Sequence, residues 1–421
     1  MDLLQFFIDV KLCQNGIANS ILAGILEFSI PFLRICVLYY ASMYTRLLKK
    51  FPSNKSFFLF GARGTGKTTW VKNTFPNAIY IDLLYSETYT RLVANPSRLS
   101  DFIKQDFKDW IIIDEIQMVP ELLNEVHRLI EVEKYKFILT GSSARKLRKS
   151  GQNLLGGRAL TYFMYPLTAI ELGERLSLKN YLEFGGLPSV FYEEDMKKYI
   201  SDYVKTYLQQ EIIQEGITRN IGSFSRFLEA ASFSQGSVLN ISEVGRESSV
   251  GRKVVEIYFN ILEDLLVGLR LPFFSKKAKR RLINHSKFYF FDVGIYRAIR
   301  PNGVFDKPEE IGGIALESLF FQNLLAINDY LQLGYKLYYY RTKSGVEVDF
   351  IAYNDNKLHA FEIKSKRNIS SNDIRNLKIF RKDYPSAICH VIYGGSVMQY
   401  IDGIDIIPFK EALLTLDKIL L

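Results

Sequence analysis

The sequence predicts a multidomain α/β chain, and three observations carry that prediction. An apolar run, "FFLF" (57–60), leads straight into a glycine-rich turn and a helical pattern. A second apolar run, "WIII" (110–113), ends in a pair of acids. Near the C-terminus, "GVEVDFIAYNDNKLHAFEIKSK" (345–366) contains two alternating runs that carry acids and a lysine. Strands alternating with helices from 57 to 165 imply a parallel sheet with helices on both faces and sites at the carboxyl ends of its strands.

The 421 residues are more than one core comfortably holds, which sets an expectation of roughly two to four domains. With 48% hydrophobic and 24% charged residues and no low-complexity tract, the chain is neither disordered nor a solenoid. The formal charge of +9 favours acidic partners such as nucleic acid, although such an excess is also met in ordinary cytosolic proteins. Cys13, Cys36 and Cys389 are far apart and the four histidines are scattered, so neither a disulfide framework nor a zinc site is indicated, and a reducing cytoplasm is expected.

Residues 1–42 differ in character from the rest. The apolar stretch 20–41 is interrupted by Glu27, Pro31 and Arg34, and a charge near the centre of a spanning helix costs about 2.5–3.5 kcal/mol, so stable membrane insertion is not expected. Asp2 and the lack of a small-residue cleavage site argue against a signal peptide. The working protein is expected to begin at Met43, with 1–42 an N-terminal extension or the product of an upstream reading frame.

"FFLFGARGTGKTTW" (57–70) fits G-x-x-x-x-G-K-T with Gly61, Gly66, Lys67 and Thr68. Gly61, Ala62, Arg63, Gly64, Thr65 and Gly66 provide backbone amides that can close around phosphate oxygens. Lys67 can reach the terminal phosphates, Thr68 can offer its hydroxyl to Mg²⁺, and Thr69 continues into a helix whose positive end points inward. ATP and Mg²⁺ are the cofactors this pattern calls for. In "WIIIDEIQMVP" (110–120), Asp114 suits a Mg²⁺-holding carboxylate and Glu115 one that polarises the attacking water. A further strand, "KFILTGSSARKL" (136–147), ends in Thr140, Ser142 and Ser143, small polar groups suited to sensing a γ-phosphate.

The segments "LFGARGTGKTT", "IIIDEIQMVPELLNEVHRLIE", "FILTGSSARKLRKSGQNLLGGRAL" and "YPLTAIEL" resemble the AAA-type ATPases that carry a DUF4143-type C-terminal region. The resemblance implies a P-loop parallel-sheet ATPase core at 43–165 and a helical lid at 166–221. It also implies an ATP site built from Gly61 to Thr68, Asp114, Glu115 and Ser142. Arg158, in "LLGGRAL", stands where that family has a G-R pair, either touching nucleotide or an adjacent subunit of a homo-oligomer, or anchoring its own loop. Arg145 and Arg148 read as solvated surface.

Within 222–300, three short helices and an apolar strand, with Asn240 as a helix cap, resemble a winged helix-turn-helix. Its recognition helix would lie near 249–266 and present Arg252 and Lys253 early. Lys276, Lys277, Lys279, Arg280 and Arg281, in "KKAKRR", would neutralise phosphates from the wing. DNA is the favoured partner here; a protein partner is the alternative.

The segment "RPNGVFDKPEEIGG" (300–313) reads as a boundary before a C-terminal domain at 301–421. A helix at 314–328 holds Glu317, and three strands follow, the last two joined by the turn "YNDNK" (353–357). Alternation puts Glu347 and Asp349 on one strand face and Glu362 and Lys364 on one face of the next. Asp349 followed by Glu362-x-Lys364, with Glu317 upstream, resembles the PD-(D/E)xK nucleases, a restriction-endonuclease-like α/β fold. The resemblance implies Mg²⁺ held by Asp349, Glu362 and Glu317, with Lys364 stabilising hydroxide or transition-state charge. Val348 stands where that pattern has proline. A solvated acid-and-lysine hairpin, or a fold kept without cleavage, are the competing readings. The tail beyond 386 reads as an apolar strand, a Gly turn, a short strand and a final helix.

Overall fold

The computed structural model describes residues 44–49, 51–143, 145, 147, 155–208, 221–275, 286–301 and 308–421. The expectations for 1–42, for Arg148 and for Lys276, Lys277, Lys279, Arg280 and Arg281 lie outside these residues. Among the described residues, no helix is long and apolar enough to cross a membrane.

The first half is a five-stranded parallel sheet with flanking helices. In chain order it comprises β1 (Ser56–Phe60), α1 (Lys67–Thr74), β2 (Ile79–Asp82), α2 (Ser86–Ala94), β3 (Trp110–Asp114), α3 (Leu122–Val132), β4 (Lys136–Gly141) and β5 (Ala159–Phe163). Every strand pair is parallel, in the order β2-β3-β4-β1-β5. The central strands read as unbroken apolar runs because both faces are covered. Phe58 and Phe60 pack into one core with Ile111 and Ile113, while Phe57 and Leu59 pack into another with Ile112 and Ile138. Parallel pairing of β3, β4 and β1 brings the ends of all three to one edge. That places the glycine-rich turn, Asp114 and Thr140–Ser142 together. β2 was not singled out in the sequence because it is four residues long and only Ile81 is buried.

The helices α4 (Ala169–Leu172), α5 (Leu178–Phe184) and α6 (Met196–Asp202) follow. A capping box, in which Thr168 and Glu171 bond each other's backbone amides, starts α4. Next come α7 (Ile221–Ser232), α8 (Ile241–Ser248) and α9 (Arg252–Asp264), then β6 (Gly268–Leu271), β7 (Lys287–Phe290) and α10 (Val293–Ile299). Asn240 caps α8 as expected, its side chain accepting from Glu243 N. β6 and β7 pair antiparallel as a two-stranded ribbon.

The expected C-terminal helix is longer at its start, α11 (Pro308–Tyr330). Its buried face joins parts of the chain far apart in sequence: Asn323 accepts a bond from Ala169 N at 2.7 Å, and Tyr330 one from Arg46 at 2.7 Å. A separate six-stranded sheet follows. Its members are β8 (Lys336–Arg341), β9 (Glu347–Tyr353), β10 (Leu358–Lys364), β11 (Ile388–Tyr393), β12 (Gln399–Ile401) and β13 (Ile404–Pro408), in the order β12-β13-β11-β10-β9-β8. The turn 353–357 joins β9 to β10 as an antiparallel hairpin. The helix α12 (Arg375–Asp383) covers this sheet through Leu377 and Phe380. Its four basic residues among nine hid it in the sequence. The tail contains β13 and two helices, α13 (Phe409–Leu414) and α14 (Leu416–Leu420), where one final helix was expected. Arg46–Leu421 form one compact unit.

Candidate functional site

β1 runs out of the core at Phe60, and the backbone must turn sharply before α1 begins. Gly64 and Gly66 supply the turn with φ of +80° and +87°, a region that side chains with a Cβ rarely adopt. Lys67 opens α1 and is buried, its Nζ donating to Gly61 O at 2.7 Å and Ala62 O at 3.2 Å. The ammonium is therefore held across the loop by the carbonyls that flank it. Thr65 is buried and bonds Ala62 O, whereas Arg63 and Thr69 are exposed.

Asp114, at the end of β3 and only 3% exposed, accepts from Thr68 Oγ1 at 2.8 Å and from the hydroxyls of Tyr80 and Thr140. Burial, followed by the bond to Asp114, pushes the Tyr80 phenol far above its ordinary pKa, so it stays protonated and donates to that carboxylate. Glu115 sits in the left-handed region at φ 61° and its N–H donates to Thr140 Oγ1 at 3.3 Å. Gln117 ties the acid to the neighbouring strand end, donating to Glu115 Oε2 and to Ser142 Oγ at 3.1 Å. Over the loop lies the segment after α5: Tyr203 donates to Arg63 O at 2.8 Å, and Pro188 Cγ is 3.6 Å from where a Cβ on Gly66 would stand. A buried carboxylate beside a hydroxyl, with a lysine and turned amides alongside, is a donor set that fits a Mg²⁺–nucleotide: Thr68 and Asp114 would hold the ion, and Gly61–Lys67 the phosphates.

A second cluster forms where α11, β9 and β10 meet the ribbon. Glu317 of α11 and Glu347 and Asp349 of β9 converge on Lys287 of β7, whose Nζ lies 3.2, 2.8 and 4.0 Å from their oxygens. Tyr289, two residues along β7, also donates to Glu317. Asp349 accepts from Ile363 N at 2.7 Å, and Glu362 pairs with Lys364 at 2.6 Å. Among the described residues, Glu362 Oε2 is buried without a hydrogen-bond partner. Burial and then repulsion from Asp349 raise the carboxyl pKa values of Glu317 and Glu362. Burial lowers the Lys287 pKa, but Glu317, Asp349 and Glu347 more than reverse this, so its ammonium is held above the ordinary range. Among the described residues, no three His, Cys, Asp or Glu side chains are disposed to share one metal ion. With an ammonium already among the acids, this cluster does not fit Mg²⁺ as it stands.

Residues 53–173 match the family described as an AAA domain. That match, laid over the strand order and the Lys67–Thr68–Asp114 geometry, decides the first half. Together they support a P-loop ATPase over residues 53–173. Residues 175–306 and 312–412 match two domains of unknown function, DUF8612 and DUF4143. Uncharacterized proteins of Mycobacterium bovis and Mycobacterium tuberculosis are each 26% identical over 319 residues, covering 72% of this chain and 69% of theirs. An uncharacterized Haemophilus influenzae protein is 24% identical over 327 residues, covering 73% of this chain and 78% of its own. Two solved structures overlap weakly. The Aeropyrum pernix ORC1 protein in complex with DNA is 15% identical with TM-score 0.24, covering 63% of this chain and 90% of its own. A Vibrio cholerae protein is 14% identical with TM-score 0.22, covering 86% and 96%. Overlap at this level carries no argument about this chain.

Within the AAA domain, the structure brings Gly61–Thr68, Asp114, Glu115 and Ser142 to one edge but does not bring Arg158 to them. Arg158 precedes β5 at the opposite end of the sheet and pairs with Glu131 of α3. It anchors its own loop and is outside the phosphate site of its own chain. Arg145 differs from the solvated residue expected: its side chain is 12% exposed and faces Asp264 at 3.5 Å. Arg252 and Lys253 are exposed in the first turn of α9. Sequence reading missed Tyr80, Gln117, Tyr203, Lys287 and Asp292. Only the last two carried a signal, being charged residues at either end of an apolar strand, "KFYFFD".

Proposed function

We propose that the protein couples ATP hydrolysis at the AAA domain to binding or processing of nucleic acid, DNA in particular, through its C-terminal half. The observation that carries the ATPase reading is the 2.8 Å contact of Thr68 with Asp114 beside the buried Lys67, with Glu115 next in sequence. Mg²⁺ arriving with the nucleotide supplies charge neutralisation of the phosphates. The chain's own residues do the rest. Loop amides and Lys67 hold the β- and γ-phosphates, Thr68 and Asp114 orient the ion, and Glu115 accepts the proton of the attacking water. Gln117, bonded to both, positions Glu115 against Ser142. Phosphate release from Mg²⁺-ATP tests this: wild type turns over, and Glu115→Gln binds ATP without turnover. Normal hydrolysis by Glu115→Gln would reject the assignment.

The DNA reading is supported by three helices followed by an antiparallel ribbon, an order compatible with a winged helix, and by exposed Arg252 and Lys253 at the start of the third. A nuclease reading of Asp349, Glu362, Lys364 and Glu317 is supported by their convergence from a hairpin and a helix. One observation favours the second reading, an ATP-dependent switch that engages a protein partner and cleaves nothing: the Lys287 ammonium already stands among the acids. Incubation with single- and double-stranded DNA and RNA in Mg²⁺ or Mn²⁺, with and without ATP, separates the two. Cleavage abolished by Asp349→Ala supports the nuclease, and no cleavage of any form supports the switch.

A further inference from the structure

The acids of the second cluster belong to the region from α11 onward, but the cation that faces them comes from the ribbon before it. Lys287 is the first residue of β7, held by pairing with Leu271 of β6 and by a bridge to Val238. The chain leaving β6 is pinned to the C-terminal sheet by the Phe273–Tyr339 bridge and by Phe274, which packs in that sheet's core. The Lys287 side chain is 3% exposed, so its ammonium has no access to bulk water as an alternative partner. Arg341 reaches Glu347 from the exposed side at 3.6 Å and Lys364 pairs with Glu362, which leaves Lys287 as the cation that faces Glu317, Glu347 and Asp349 together. An uncompensated buried carboxylate costs several kcal/mol, so each acid here is stabilised either by a proton or by a cation set among them. A fourth acid, Glu362, adds a buried oxygen to which no group among the described residues donates. All-oxygen ligands of this kind suit a hard divalent ion.

We propose that Lys287 is the resident cation of this cluster, a tethered ammonium that holds Glu317, Glu347 and Asp349 about itself, so that these acids regroup around a divalent ion only when Lys287 is removed or withdrawn. The ammonium and the metal compete for Glu317, Glu347 and Asp349, and the tether gives the ammonium the advantage. The ribbon thereby closes a latent divalent-cation site. The inference deepens the switch reading above, but its readout is metal binding, so it stands or falls independently of ATP turnover and of cleavage.

Mn²⁺ is titrated into the nucleotide-free full-length protein and the free ion is followed by its EPR signal. Wild type and Lys287→Arg are expected to show no Asp349-dependent site tighter than about 1 mM. Lys287→Met is expected to gain one site at least about tenfold tighter, lost again in Lys287→Met/Asp349→Asn. A folded Lys287→Met that gains no site overturns the proposal. Should Lys287→Met fold only when Mn²⁺ is present, the proposal is supported. Should it not fold at all, the wild-type titration decides: a site that disappears in Asp349→Asn overturns the proposal, and absence of such a site in wild type and in folded Lys287→Arg supports it.

Discussion

Replacing Asp292 should loosen the lid of the phosphate loop without touching the loop itself. Asp292 is fully buried after β7, and its Oδ1 caps α10 by accepting from Gly294 N at 2.9 Å and Ile295 N at 3.1 Å. Its Oδ2 accepts from Gly186 N at 2.7 Å. That second bond holds the turn that delivers Leu187 and Pro188 to Gly64 and Gly66. Asp292→Ala removes a helix cap, worth about 1 kcal/mol, and strands a buried N–H, worth about 1–3 kcal/mol, for a total of about 2–4 kcal/mol. Asp292→Asn keeps an oxygen for the cap but turns an NH₂ toward Gly186, so roughly half of the loss is expected. Urea unfolding followed by tryptophan fluorescence reads the AAA domain directly, because Trp70 and Trp110 both lie in its core. Titration with a fluorescent ATP analogue should show weaker binding in the order wild type, Asn, Ala. An Ala variant within about 0.5 kcal/mol of wild type, or one with unchanged nucleotide affinity, would refute the argument that this carboxylate holds the lid.

Three further outcomes are expected. Lys67→Ala removes charge-assisted bonds worth about 1.5–3 kcal/mol, so ATP affinity should fall about 10- to 150-fold by calorimetry. Arg252→Ala/Lys253→Ala should weaken DNA binding across sequences and flatten the plot of log K against log[salt] by about two contacts; an unchanged slope would point away from this helix. Asp373 is mostly buried, which raises its pKa, but Lys366 at 2.7 Å and Ser370 at 2.6 and 2.9 Å more than reverse this and hold it down to about 2. A lowered folded pKa means stability that is fully present above the unfolded value of about 3.9 and lost as pH falls toward 2. Asp373→Asn should therefore cost about 1–2 kcal/mol at pH 7, with Lys366 contributing little because it is exposed, and the gap should close between about pH 4 and pH 2. A constant gap across that range would contradict the assignment.

The elements that could be read before any fold was known are those whose signal is local. Gly61–Thr68 is legible because only that spacing of glycines, lysine and threonine lets a strand turn into a helix around phosphate. Asp114 is legible because it ends an apolar run, and the hairpin at 353–357 because alternation and turn residues agree. The same locality explains why Glu347 and Asp349 were assigned to one face, which their shared contact with Lys287 bears out. Which groups face these residues from elsewhere in the chain became visible only once the chain was folded. Tyr80 reaches Asp114 across 34 positions, Tyr203 reaches Arg63 across 140, and Lys287 reaches Glu317 across 30. No periodicity encodes such pairings. They follow from how β2 docks beside β3 and how the ribbon docks beside α11, and those arrangements are set by packing of apolar faces that many partners would satisfy equally well in sequence. The acids at 317, 349 and 362 were therefore readable as a group suited to a cation, while the ammonium from β7 that faces 317, 347 and 349 became visible only in the fold.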